Sequence, residues 1–196
     1  MARPQPDAVA RRLALLAAAE RVLKANRGRR LVMSDVAAEA GMSQSYAYRF
    51  FTDKNALIAA MAENWFADVS KAVRALVDAP GPVRARLEEF VLVQMRMKCA
   101  SHDADTVLFA AYLDLASGHA DIAIAHVHEM ERVLTALMAE RFPDRDAVAA
   151  ARVFNDATRM FRDPYVIARM RPLITEDRAR TVIATVLAGL ESAQPM

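Results

Sequence analysis

Between Ser34 and Leu57 the chain reads SDVAAEAGMSQSYAYRFFTDKNAL, and the polar residues of this stretch are of the types that read nucleic acid. Gln44, Ser45, Tyr46, Tyr48 and Arg49 crowd together, interrupted only by Ala47. A Gln amide pairs with adenine, an Arg guanidinium with guanine or phosphate, and Ser or Tyr hydroxyls with base edges or phosphate oxygens, provided that a helix carries them into the major groove. Lys54, a cation at the start of the next helix, is unfavourable beside the positive helix end unless an anion comes to it.

Such a set is useful only on a rigid element, and the flanking residues supply one. Gly41 permits a sharp turn between two helices too short to persist alone, Ser34 to Ala40 and Gln44 to Phe50. Val36, Ala37, Ala40, Met42 and Ala47 offer the small apolar surfaces that hold the two together, and Ser43 can cap the second. A preceding helix, Ala8 to Ala25, carries a stripe of Val9, Leu13, Leu16, Ala19 and Leu23 and stops near Gly28. Phe51 reads as packing.

The sequence resembles the TetR family of bacterial transcriptional repressors. The resemblance rests on Leu15-Leu16, Ala18-Ala19 and Leu23, then Ala40-Gly41-Met42-Ser43, Tyr48, Phe50-Phe51, Asp53-Lys54 and Leu57 in unbroken register. It implies that Tyr48 and Lys54 bind backbone phosphates and that Gln44, Ser45, Tyr46 and Arg49 set specificity on a double-stranded DNA operator. Two departures stand out. Val32 and Met33 occupy the place of the usual hydroxyl that starts the second helix, with Ser34 as its substitute, and Ser45-Tyr46 replace the common Gly-Thr. Residues 1–52 are the expected DNA-binding domain, and 53–196 the expected ligand-binding and dimerisation domain.

Five Gly and eight Pro divide the chain into segments of helical length with three- and four-residue apolar spacing, so the expected fold is all-α with about nine helices. Beyond the first three, these run from Thr52 or Asp53 to Val77, Val83 to Lys98, Asp105 to Leu115, Asp121 to Arg141, Arg145 to Phe161, and Thr175 to Leu190. A short turn is expected around Tyr165 to Met170. The family implies an inducer pocket in the helical body, for which Trp65, Phe66, Phe90, Gln94, Met95, Phe109, Tyr112, Met130 and Phe154 are the candidates. The inducer itself is not legible. The family also implies a homodimer, here through helices at about 148–161 and 175–190, where Thr181, Ala184, Thr185, Ala188 and Gly189 form a small-residue seam.

Charge and composition fit this reading. Residues 1–57 hold ten Lys/Arg (Arg3, Arg11, Arg12, Arg21, Lys24, Arg27, Arg29, Arg30, Arg49 and Lys54) against five acids, a surplus of five on a chain of net +2. That asymmetry suits a head that meets a polyanion. Cys99 is the single cysteine and reads as structural. Met1 to Asp7 is polar, without a signal-peptide core, and no long charge-free apolar run appears, so a cytoplasmic protein without a membrane partner is expected. No phosphate-binding glycine loop, nucleophile elbow or HExxH occurs, Glu88-Glu89 point apart, and the expectation is no enzyme and no cofactor. His119, His126 and His128 fall close together, yet His126 and His128 cannot share a helix face, and no metal site is expected.

Overall fold

In a computed structural model describing residues 6–192, every regular element is helical. Along the chain these are α1 (Pro6–Ala25), α2 (Met33–Glu39), α3 (Gln44–Ala47), α4 (Lys54–Arg74), α5 (Val83–Ala104), α6 (Thr106–Ser117), α7 (Ala120–Arg141), α8 (Ala147–Thr158), α9 (Pro164–Met170) and α10 (Glu176–Ser192). Short 3-10 turns at Arg159–Phe161 and Arg171–Leu173 flank α9. Arg3, counted in the basic head, lies outside the described residues. Among those described, no single helix is long and apolar enough to cross a membrane.

The helices form two compact units. One comprises residues up to Trp65 together with Asp105–Ile122, the other Phe66–Ala104 and the residues from Ala123 onward. Helix α4 starts in the first unit and ends in the second.

The first unit packs α1, α2, α3, the start of α4, and α6. Leu15, Ala18 and Ala19 of α1 meet Val36, Ala37, Ala47, Phe51, Leu57 and Met61 in one core. The alanines let short helices approach closely, and burial of their neighbours, rather than intrinsic helix stability, holds them. The expected stripe on α1 fails at its start, because Val9 and Leu13 are 47% and 55% exposed. The buried face begins only at Leu15 and runs through Val22 and Leu23, since the residues that cover α1 meet its second half. Helix α1 ends with Arg27 and Gly28 both left-handed (φ 51° and 74°) and with the Gly28 N–H donating to the Leu23 carbonyl at 2.7 Å. A Cβ on Gly28 would stand 3.2 Å from Cβ of Ala111 on α6, so this glycine serves both backbone conformation and close packing.

In the second unit, Leu87, Phe90, Val91, Gln94, Met95 and Lys98 form the buried face of α5. Helices α8 and α10 pack together, burying Ala150, Ala151 and Phe154 on one and Ala179, Ile183 and Leu187 on the other. Several helix ends differ from expectation by one to three residues, and two regions differ by more. Helix α5 passes Lys98 and Cys99 and runs to Ala104. Neither Gly nor Pro interrupts it, and it yields only where Asp105 caps α6 by accepting from the Val107 and Leu108 N–H groups at 3.1 and 3.0 Å. The turn expected around Tyr165 to Met170 is helix α9. Asp163 accepts from the Tyr165 and Val166 N–H groups, and Pro164 sits in the first helical turn, where its missing N–H costs nothing.

Candidate nucleic-acid interface

The helix-turn-helix is built from α2, the turn at Gly41 and α3. Gly41 has φ +67°, and the Met42 N–H donates to the Ala37 carbonyl at 2.8 Å, closing the turn. Helix α2 begins one residue before Ser34: Val32 is its N-cap and offers no side-chain bond. Ser34 therefore does not replace the missing cap. It is an exposed residue inside the first turn, and its hydroxyl lies 3.2 Å from Asp35 Oδ1. Ser43 does cap α3, accepting from the Tyr46 N–H at 3.2 Å.

Ala47 is wholly buried and anchors α3 to the core, which turns Gln44 and Ser45 to the outside. Tyr46 is half-buried, edge-on to Phe50 with ring centroids 5.3 Å apart, and the Arg49 guanidinium carbon stands 5.6 Å from the Tyr46 centroid. Arg49 is thus held beside α3 by an aromatic face rather than by an acid. Tyr48 is 42% exposed. Asp53 caps α4, accepting from the Ala56 N–H at 2.8 Å, and leaves Lys54 exposed as the first residue of that helix.

Three cations of the basic head are neutralised within the unit: Arg11 by Asp7 at 3.3 Å, Arg21 by Glu39 at 2.6 Å and Lys24 by Asp105 at 2.9 Å. Among the described residues Arg27, Arg29, Arg30, Arg49 and Lys54 form no ion pair. Arg12 is a residue that sequence reasoning did not single out. Its Nη1 donates to the Phe50 carbonyl at 3.1 Å and its guanidinium carbon lies 4.3 Å from the Phe51 ring centroid, which ties the end of the helix-turn-helix to α1. Nothing in the spacing of α1 distinguishes Arg12 from Arg11 beside it.

The nine pocket candidates separate into two groups. In the first unit Trp65 stacks on Tyr112 (5.5 Å, 5°) and meets Phe109 edge-on (5.8 Å, 79°), and the Tyr112 hydroxyl donates to Glu20. In the second, Phe90, Gln94, Met95, Met130 and Phe154 are all buried, and Phe66 stacks on His126 with centroids 4.4 Å apart. Gln94 Nε2 donates to the Phe90 carbonyl at 2.7 Å. The small residues Thr181, Ala184, Thr185, Ala188 and Gly189 are exposed along α10, as are Val148 and Val153 on α8.

Residues 15–61 match the family model described as bacterial regulatory proteins, tetR family, and residues 83–183 match that of the tetracyclin repressor-like C-terminal domain. The chain belongs to the TetR family. As a TetR-family member it is a DNA-binding transcriptional regulator that dimerises through helices, and it is not an enzyme. Solved structures share the fold at low identity. A Pseudomonas aeruginosa PAO1 protein assigned to the transcriptional regulators superposes with TM-score 0.73 at 20% identity, over 97% of this chain and 94% of that one. The transcriptional regulator FadR of Bacillus subtilis, in complex with stearoyl-CoA, gives 0.63 at 12% identity, over 90% and 98%. SmeT, repressor of the Stenotrophomonas maltophilia multidrug efflux pump SmeDEF, gives 0.64 at 17% identity, over 91% and 89%. No curated protein matches the sequence.

The body of this TetR-family protein also buries polar groups whose partners the sequence did not reveal. His126 Nδ1 lies 2.9 Å from Ser70 Oγ, and burial, with Lys98 adding to it, lowers the imidazole to about 4. This histidine is neutral and structural at ordinary pH. His119, half-buried, sits in the other unit with Nδ1 3.2 Å from the Leu115 carbonyl oxygen. Cys99 is buried in α5, and burial pushes its thiol up, so it is poorly suited to act as a nucleophile.

Proposed function

We propose that this regulator is a repressor that holds a palindromic operator in double-stranded DNA as a homodimer and leaves it when a small apolar or amphipathic molecule binds the helical body. The observation that carries the reading is α3, fixed to the core by Ala47 with Gln44 and Ser45 turned outward and Arg49 alongside. Gln44, Ser45, Tyr46 and Arg49 read base edges, Tyr48 and Lys54 hold phosphates, and the hydroxyls of Ser34 and Ser43 border the same surface. Residues 1–52 act as the DNA-binding domain and 53–196 as the ligand-binding and dimerisation domain.

Dimerisation uses 148–161 with 175–190. The exposure of the α10 seam and of Val148 and Val153 supports this, because such a surface allows close helix approach and gains from burial. Of the nine candidates, those in the second unit, Phe66, Phe90, Gln94, Met95, Met130 and Phe154, take up the inducer. Support comes from the stearoyl-CoA held by the similarly folded FadR. Helix α4 is continuous from Lys54 to Arg74, so a ligand that tilts it moves Lys54 and changes the spacing of two recognition helices that must enter successive grooves. Ligand and operator then weaken each other's binding by the same factor.

Fluorescence anisotropy of the full chain on DNA flanking its own coding sequence, at two salt concentrations, tests this. The expected result is palindrome-dependent binding that is lost in the Arg49→Ala, Lys54→Ala double variant. In the single variant Lys54→Ala, losing two phosphate contacts per dimer should flatten the log–log salt slope by about 2. Unchanged affinity in the double variant would overturn the assignment of these residues.

A further inference from the structure

The second unit buries two cations that no carboxylate among the described residues meets. Lys98, on the inner face of α5 in line with Phe90 and Gln94, is 8% exposed. Its ammonium donates to the Arg162 carbonyl oxygen at 2.8 Å and to nothing else among the described residues. Arg162 lies just before α9 and is equally buried. Its Nη2 donates to Asn155 Oδ1 at 2.6 Å and to the Asn155 carbonyl at 3.3 Å, its guanidinium carbon stands 5.2 Å from the Phe90 ring centroid, and its Nε has no partner among the described residues. Two acids influence the pair from a distance. Of these, Asp163 is already engaged by the Tyr165 and Val166 N–H groups and by Arg159, while Asp156 is exposed.

A third buried cation in the same unit shows how this fold treats a purely structural charge. Arg86 donates to the Leu76 and Val77 carbonyls and forms an ion pair with Glu140, and its Nε, like that of Arg162, has no partner among the described residues, so the presence of an acid is what sets it apart. Lys98 and Arg162 have no such acid, although removing a charge from water without a counter-ion is strongly unfavourable. The strain registers on both: burial first, then Arg162, lowers the Lys98 ammonium to about 7, and burial lowers Arg162 to about 10. Closing the turn before α9 uses one of the three ammonium hydrogens of Lys98 and supplies no negative charge to either cation.

We propose that Lys98 and Arg162 form an anion subsite of the inducer pocket, which takes the carboxylate of an amphipathic organic acid and lays its hydrocarbon part along Phe90. Two charge-assisted hydrogen bonds in a dry site would fix the acid's orientation, and the ligand would supply the missing negative charge. This rests on the ligand-released reading above and narrows it to one class of inducer.

Calorimetric titration of the full chain near pH 6.5 with octanoate, octan-1-ol and octylammonium tests the inference on one hydrocarbon tail. Octanoate should bind about tenfold or more tighter than octanol, and octylammonium weakest. In Lys98→Met and Arg162→Met, octanoate should lose about tenfold while octanol is unchanged, a split that mere loosening of the body would not give. Equal affinity for octanoate and octanol, or no binding of any of the three, overturns the subsite. Octanoate that binds as expected but leaves operator DNA bound confirms the subsite and instead overturns ligand release.

Discussion

The two units treat polar side chains in opposite ways. In the helix-turn-helix the polar residues that matter lie outside: Gln44, Ser45 and Arg49 are exposed, and the core beneath them is alanine, leucine and phenylalanine. In the second unit Arg86, Gln94, Lys98, His126 and Arg162 are buried. The first arrangement separates fold from recognition, so that each can be altered alone. The second merges them, because a polar group held in the core contributes to stability and to any ligand chemistry at once.

Truncating the body should show the largest effect. Phe154→Ala removes a fully buried ring from α8, the helix that packs on α10, and is expected to cost about 3–5 kcal/mol in urea unfolding. A cost below about 1 kcal/mol would mean that this core is loosely packed, and the contrast with the head would weaken.

The buried imidazole gives a smaller effect with a definite sign. His126 falls from about 6.5 to about 4 on folding, so between those values the unfolded chain binds more protons and stability rises with pH. The urea midpoint should drop on going from pH 7.5 to 5 by the equivalent of about 2 kcal/mol. His126→Gln should remove most of this dependence while keeping a partner for Ser70. If wild type and variant respond alike to pH, the imidazole is not the group responsible.

The smallest effect is expected at the turn. A Cβ at Gly41 would meet nothing within 4 Å, so Gly41→Ala costs only the left-handed backbone, about 1–2 kcal/mol. It should lower the melting temperature and operator affinity together, because the turn orients α3. An affinity loss with no change in melting would show that recognition depends on Gly41 itself and not on the turn.

The head was legible because its determinants are local. Gly41, Ser43 and Ala47 lie within one turn-plus-helix, and each is needed there whatever the rest of the chain does. Where a residue's role depends on distant packing, sequence reading failed. Val9 and Leu13 continue a good helical stripe that nothing among the described residues covers, and Lys98 looks like the polar end of a helix that in fact continues to Ala104. The Asp163-Pro164 pair reads equally well as a break and as a helix start, and only the capping bonds decide for α9. Lys98 and Arg162 could not be paired from sequence at all, since 64 positions separate them and no spacing rule links a helix face to a turn.

Helix α3 has four residues, and Ala47 alone of them is buried. Because its fold depends so little on Gln44 and Ser45, these positions can be exchanged at nearly no cost to stability. A duplicated copy of such a gene could therefore drift to a new operator by single substitutions, remaining folded and dimeric throughout, while its response to a ligand evolves separately in the body.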